Sequence, residues 1–254
     1  MNDAHGATLE GRTVLVTGAA RRVGAEIVRH LHAAGADVAI HYRDSAAEAA
    51  ALAAGLEQLR PQSTLLLHAD LLQIGSLPGL ISDTTARFGR LDVLVNNASS
   101  FYPTAFGQID QQQWDDLMGS NLQAPLFLAQ AAAPALRAAR GLLINIADIH
   151  GIRPLRDYGV YSLAKAGLIQ LTRLLARELA PEVRVNAIAP GPVLWPEAAA
   201  GLSAERQQQI IEHTLLKRAG SPADVARAVR FFACDAPYIT GQLLAVDGGR
   251  SLGW

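Results

Sequence analysis

Short, continuous apolar runs alternate with amphipathic stretches along this chain, and that alternation limits the folds open to it. The first run, Thr13 to Thr17 (TVLVT), has no polar alternate position. Such a run suits a strand covered on both faces of a parallel sheet. AEIVRHLHAAGA follows, with Val23, Ile27 and Leu31 on one helical face. Further strands are expected at Val38 to Ile40, in STLLLHADL ending at Asp70-Leu71, at Val93 to Val95, at Gly141 to Ala147, in EVRVNAIAP and in QLLAVDGG. Helical stretches separate them: AAEAAALAAGLEQL, a helix closing at Gly89, one long helix from Trp114 to Ala139, YSLAKAGLIQLTRLLARELA, and SPADVARAVRFFAC with Ser221 as N-cap. Strand and helix in turn predict an α/β fold: a doubly wound parallel sheet of about seven strands with helices on both faces. The chain has 254 residues, half of them hydrophobic, enough for the core of a single domain spanning 1–254. A short substrate-loop insertion is expected over about 193–220, with one or two helices.

In such a sheet, ligands bind outside the carboxyl ends of the strands. Four polar clusters follow strands here: Gly18 to Gly24, Asn97 to Phe101, Asp148, and Pro190 to Val193. Gly18 and Gly24 bracket a tight strand-to-helix turn whose backbone amides suit a pyrophosphate, and Arg21 and Arg22 add positive charge beside it. Gly18, Arg21, Arg22, Val23 and Gly24 are therefore candidate dinucleotide contacts. The second strand ends in His41, Arg43, Asp44 and Ser45. An acid at this tip prefers a free ribose 2′-hydroxyl, whereas an arginine accommodates a 2′-phosphate. Arg43 and Ser45 favour NADP(H); Asp44 dissents, or caps the following helix. Asp70 and Leu71 are candidates for the adenine edge. Asn97, Ala98 and Ser99 leave room for a ligand at the backbone, and Phe101 either stacks on a flat ring or fills the core. Pro190, Gly191 and Val193 reach the same edge.

Asp148, Tyr161 and Lys165 fall in one stretch, DIHGIRPLRDYGVYSLAK. Tyr161 and Lys165 are four apart and share a helix face. A nearby ammonium lowers a phenol pKa, which makes the tyrosine a usable acid/base near neutral pH. Asp148 ends the preceding apolar run and can enter the same cleft. Asn121, in mid-helix where asparagine is disfavoured, implies a polar task or a kink.

The charge balance excludes several classes. Net charge is −1, with 22 basic and 23 acidic residues, so nothing favours nucleic acid. The one cysteine, Cys234, rules out an internal disulfide and fits a reducing compartment. The start MNDAHGATLEGR has no basic region followed by an apolar run, and no apolar run is long enough for a bilayer. A cytoplasmic protein with no membrane partner is expected. The seven histidines offer no metal-ligand spacing.

TGAARRVG, NNA, Asn121, Tyr161-x-x-x-Lys165 and Pro190-Gly191 together resemble the short-chain dehydrogenase/reductase family over nearly the entire chain. The resemblance implies a Rossmann-type domain, a nicotinamide dinucleotide, Tyr161 as acid/base, Lys165 as its partner and ribose binder, and Asn121 holding a water relay. Most members have a serine thirteen residues before the tyrosine; this chain has Asp148. A serine donates to a substrate carbonyl, whereas a carboxylate only accepts. Arg22, the run NNASSFYPT and Asp148 further resemble pteridine reductases. That likeness implies NADPH-dependent reduction of a pterin or folate ring C=N bond. Phe101 would stack on the ring, Ser99 and Arg22 would contact pterin or phosphate, and Tyr158 would line the pocket. The alternative is dihydromonapterin reduction, or another short-chain carbonyl reduction such as that of 3-oxoacyl groups. Trp195 either touches substrate or anchors its loop. The resemblance also implies a homotetramer; a further expectation is that the end RSLGW reaches a neighbour's site, with Trp254 at its lip.

Overall fold

The computed structural model describes residues 8–195 and 202–253. Seven parallel strands form one sheet: β1 (Thr13–Val16), β2 (Asp37–Tyr42), β3 (Thr64–His68), β4 (Val93–Asn96), β5 (Leu142–Ile146), β6 (Arg184–Pro190) and β7 (Leu243–Val246). Their order is β3-β2-β1-β4-β5-β6-β7. The chain winds outward from β1 to β3, then returns to β4 on the other side of β1. That reversal opens a crevice at the carboxyl ends of β1 and β4.

Helices α1 (Arg22–Ala33), α2 (Ala46–Leu59) and α8 (Pro222–Cys234) cover one face. Val14, Val16, Val38, Ile40, Val93 and Val95 meet Ile27, Leu31, Leu52, Leu56, Val229 and Phe232 there. Alternate residues Leu15, Ala39, Leu94 and Leu143 point the opposite way, as the twofold strand period requires. They pack on α3 (Leu77–Phe88), α5 (Ala124–Ala139) and α6 (Gly159–Glu178) through Leu80, Leu128, Leu136, Leu168 and Leu175. Burial on both faces explains why these strands read as unbroken apolar runs. Between β6 and α8 lies α7 (Ala204–Glu212). Among the described residues, no helix is long and apolar enough to cross a membrane.

The long helix expected from Trp114 to Ala139 is broken. It runs as α4 (Gln111–Met118), a π turn over Gly119–Gln123, and α5. Gly119 lies against Leu72, where a Cβ would be 2.5 Å from Leu72 Cδ2. Asn121 sits in this turn, fully buried, and its Nδ2 donates to the carbonyls of Leu117 and Ser100, each at 3.0 Å. β3 stops at His68, before Asp70: Asp70 Oδ1 accepts from Leu72 N at 3.0 Å and turns the chain away from the sheet. Asp44 does not cap α2. Ser45 occupies the N-cap, and Asp44 accepts from Arg43 Nε at 2.7 Å.

Candidate active site

The β1–α1 turn is built to hold its glycines. Gly18 has φ +59°, and a Cβ there would stand 2.8 Å from Ala98 Cα. A Cβ at Gly24 would collide with the Gly18 carbonyl and lie 2.6 Å from Asn97 Nδ2. Asn97 explains that crowding. Its Nδ2 donates to the carbonyls of Thr17 (2.9 Å) and Gly18 (3.0 Å), so its side chain clamps the turn to the end of β4. Thr17, unremarked in the sequence, completes the clamp: its Oγ1 accepts from Asn97 N at 2.9 Å and Ala98 N at 3.1 Å. A hydroxyl residue closing an apolar strand was the available signal.

Arg22 opens α1 at φ +54°, in the left-handed region that L residues avoid. Where the usual pattern has a glycine, this chain has an arginine in a glycine's conformation. Its Nη2 donates to the Trp195 carbonyl at 3.0 Å, tying the turn to the loop after β6. The N-cap residue Arg21 makes no side-chain capping hydrogen bond to α1, and the first turn carries no acid. The start of a helix beside two arginines fits an anionic pyrophosphate. Arg21 also lies 3.8 Å from Glu48 of α2. Val23 packs partly buried against the core, and Leu71 is buried in it, so neither side chain reaches across the crevice. His41 likewise points inward, with 2% of its surface exposed. Arg43, at the rim, is held by Asp44, which raises its pKa further.

Gly191 N donates to Val246 O at 3.0 Å, which anchors the Pro190-Gly191 step to β7. Val193 is buried in the core. The C-terminal segment is anchored within the chain: Arg153 Nη1 donates to Ser251 O (2.7 Å) and Gly253 O (2.9 Å). Trp254 lies outside the described residues.

At the carboxyl end of β5, Asp148 and Tyr161 come together. Tyr161 Oη donates to Asp148 Oδ2 at 2.7 Å, and Asp148 Oδ1 accepts from His150 N at 2.7 Å. The backbone amide of His150 thus orients the carboxylate, a contact with no sequence signature. Lys165 Nζ is buried 5.7 Å from the Tyr161 ring centroid and donates to Ile146 O at 2.9 Å. The expectation that Lys165 lowers the phenol pKa is reversed. Burial, and then the Asp148 carboxylate, push Tyr161 well above the usual range. Burial lowers Lys165 to about 8, against the pull of Asp148. The physical reasons are burial first and then proximity: the anion touches the phenol oxygen, while the ammonium is engaged with the Ile146 carbonyl. Tyr161 is therefore held as a protonated donor.

Phe101 is not core filler. It is 38% exposed, stacks on Tyr158 at 4.6 Å between centroids (20° between planes), and meets Tyr161 edge-on at 4.8 Å. Ser99 Oγ donates to Asn121 Oδ1 at 2.7 Å, which joins the end of β4 to the π turn. The arrangement offers a flat apolar face, a phenol donor and a carboxylate acceptor side by side.

A family model described as enoyl-(acyl carrier protein) reductase matches residues 18–251. Pteridine reductase 1 of Leishmania tarentolae is 37% identical, over 94% of this chain and 96% of its own length. The 3-oxoacyl-[acyl-carrier-protein] reductase FabG of Staphylococcus aureus is 35% identical, over 94% of this chain and 97% of its own. L-fucose dehydrogenase of Mus musculus is 37% identical, over 96% and 90% respectively. Matched along nearly its whole length by reductases and a dehydrogenase alike, the chain belongs to the short-chain dehydrogenase/reductase family of NAD(P)(H)-dependent oxidoreductases.

Proposed function

We propose that this protein reduces a pterin ring C=N bond with NADPH, acting on biopterin-type and folate-type rings. The observation that carries the reading is the 2.7 Å hydrogen bond from Tyr161 to the Asp148 carboxylate beside the exposed Phe101 ring. Ketone reduction develops negative charge on oxygen, which a carboxylate repels. A pterin instead offers N–H groups to that acceptor and requires a proton on a ring nitrogen. Bound dinucleotide supplies the hydride for the ring carbon. Tyr161 gives its proton to the adjacent nitrogen as the C=N π bond breaks, and Asp148 orients the donor. Lys165, Asn121 and a water held at Asn121 restore the proton. Phe101 and Tyr158 stack the flat ring, with Ser99, Arg22 and Trp195 at its edge.

Gly18, Arg21, Arg22, Val23 and Gly24 hold the pyrophosphate. Arg43 and Ser45 at the tip of β2 support NADP(H) over NAD(H), since arginine forks suit a 2′-phosphate. Asp70 and Leu71 lie by the adenine. Asn97, Ala98, Ser99, Lys165, Pro190, Gly191 and Val193 line the ribose and nicotinamide end. A single cysteine supports a reducing, cytoplasmic setting. Exposed Leu126 on α5 and Leu163 and Leu174 on α6 support assembly as a homotetramer through those helices. The likeness to a pteridine reductase favours the pterin reading; the likeness to a 3-oxoacyl reductase favours the main alternative.

The test is NADPH oxidation followed by absorbance, with biopterin, dihydrobiopterin, dihydromonapterin and dihydrofolate against an acetoacetyl thioester, and NADH in parallel. Pterin turnover that is lost in Tyr161→Phe is expected. Turnover of the thioester alone overturns the reading.

A further inference from the structure

We propose that His41 is a positioning residue whose buried ring joins the β1–α1 turn to the end of β3, holding both ends of the dinucleotide cradle. This rests on the reading that the dinucleotide lies across that crevice. The Nδ1 atom of His41 accepts from Gly18 N at 3.1 Å, and Nε2 lies 3.1 Å from Ala69 O. The carbonyl can only accept, so Nε2 carries the proton and Nδ1 is the acceptor. His41 also uses its backbone, accepting from Ala19 N at 2.8 Å, and Tyr42 O accepts from Ala69 N at 3.2 Å. Three successive strand ends are thus joined at one residue. Burial lowers the His41 pKa to about 4, so the ring stays uncharged at neutral pH and Nδ1 stays an acceptor.

The two groups this ring satisfies are not arbitrary. Gly18 sits at φ +59° in the pyrophosphate turn, with its N–H aimed inward at the ring. Ala69 immediately precedes Asp70 and Leu71 at the adenine end. A buried N–H left without an acceptor is costly, so the turn would shift toward water if the ring were lost. A turn that must be reordered on each binding event weakens affinity without altering the chemistry that follows.

Three variants separate positioning from bulk. His41→Phe keeps the ring and removes both hydrogen bonds. His41→Asn keeps an acceptor near the Nδ1 position. His41→Gln reaches toward Ala69 and offers Gly18 nothing. Calorimetry with NADPH, steady-state kinetics and thermal melts are run on each. Roughly tenfold or greater weakening of NADPH binding is expected in Phe and Gln variants, with kcat at saturating NADPH near the parent value. The Asn variant should recover most of the affinity. Should the Phe variant not fold, the Asn–Gln contrast decides. Equal NADPH affinity in Asn and Gln variants, or a fall in kcat with affinity unchanged, overturns the proposal. A parent protein that binds neither NADPH nor NADH would instead overturn the cofactor reading beneath it.

Discussion

Replacing Asp148 by serine tests whether one carboxylate sets the substrate class. The carboxylate oxygen lies 2.7 Å from Tyr161 Oη. A substrate oxygen sharing that hydroxyl would stand roughly 4–5 Å from the carboxylate. Two unit charges about 4 Å apart interact by about 4 kcal/mol at an effective dielectric of about 20. An oxyanion half developed in the transition state would feel about 2 kcal/mol of repulsion. Each 1.4 kcal/mol, roughly, is tenfold in rate. Asp148→Ser is therefore expected to raise kcat/KM for an acetoacetyl thioester by roughly 20- to 30-fold. Pterin turnover should fall by roughly 10²- to 10⁴-fold, the range for losing a group that organises proton transfer. The local backbone should survive, because a serine hydroxyl can still accept from His150 N, which Asp148 Oδ1 does now. The assay is NADPH oxidation with both substrates in parallel, with a melt to verify folding. A folded variant with unchanged thioester turnover and undiminished pterin turnover would refute the electrostatic argument.

Three further outcomes follow from the geometry. Lys165 binds its proton less tightly when folded, at about 8 against 10.5, so stability should climb as pH rises from about 8 toward 10.5 and be lowest below 8. That gap corresponds to about 3 kcal/mol; denaturant melts should show the climb in the parent and not in Lys165→Met, and parallel curves would exclude it. Arg22→Gly relieves the left-handed backbone and should stabilise the fold by about 1 kcal/mol. It also removes the hydrogen bond to Trp195 O, so KM should rise while the melting temperature does not fall. Gly24→Ala forces a Cβ to 2.6 Å from Asn97 Nδ2, which should cost about 1–3 kcal/mol. The melting-temperature rise that NADPH gives the parent should be lost in that variant.

The alternation of apolar runs and amphipathic stretches was enough to derive the sheet, its parallel sense and the helices on both faces. Periods of 2 and 3.6 are local properties, and burial on both faces leaves its mark in each strand separately. The same logic put Gly18, Asn97, Asp148 and Gly191 at one edge, because all four follow strands. The break at Asn121 was half legible: asparagine in mid-helix signalled a kink, but the π turn depends on Gly119 meeting Leu72 from another segment. Other features had no local signature. Asn97 reads as a ligand contact, yet its side chain clamps the β1–α1 turn across 80 residues of chain. His41 reads as a rim residue, yet its ring is buried. The Tyr161–Lys165 spacing correctly puts the two on one helix, but spacing says nothing about which charge lies nearer the phenol oxygen. Residue order alone therefore determined the fold and the edge where chemistry gathers. Only the tertiary structure decided that Tyr161 is held protonated, because that depends on a 2.7 Å approach by Asp148 and on desolvation, which arise when separate elements pack together.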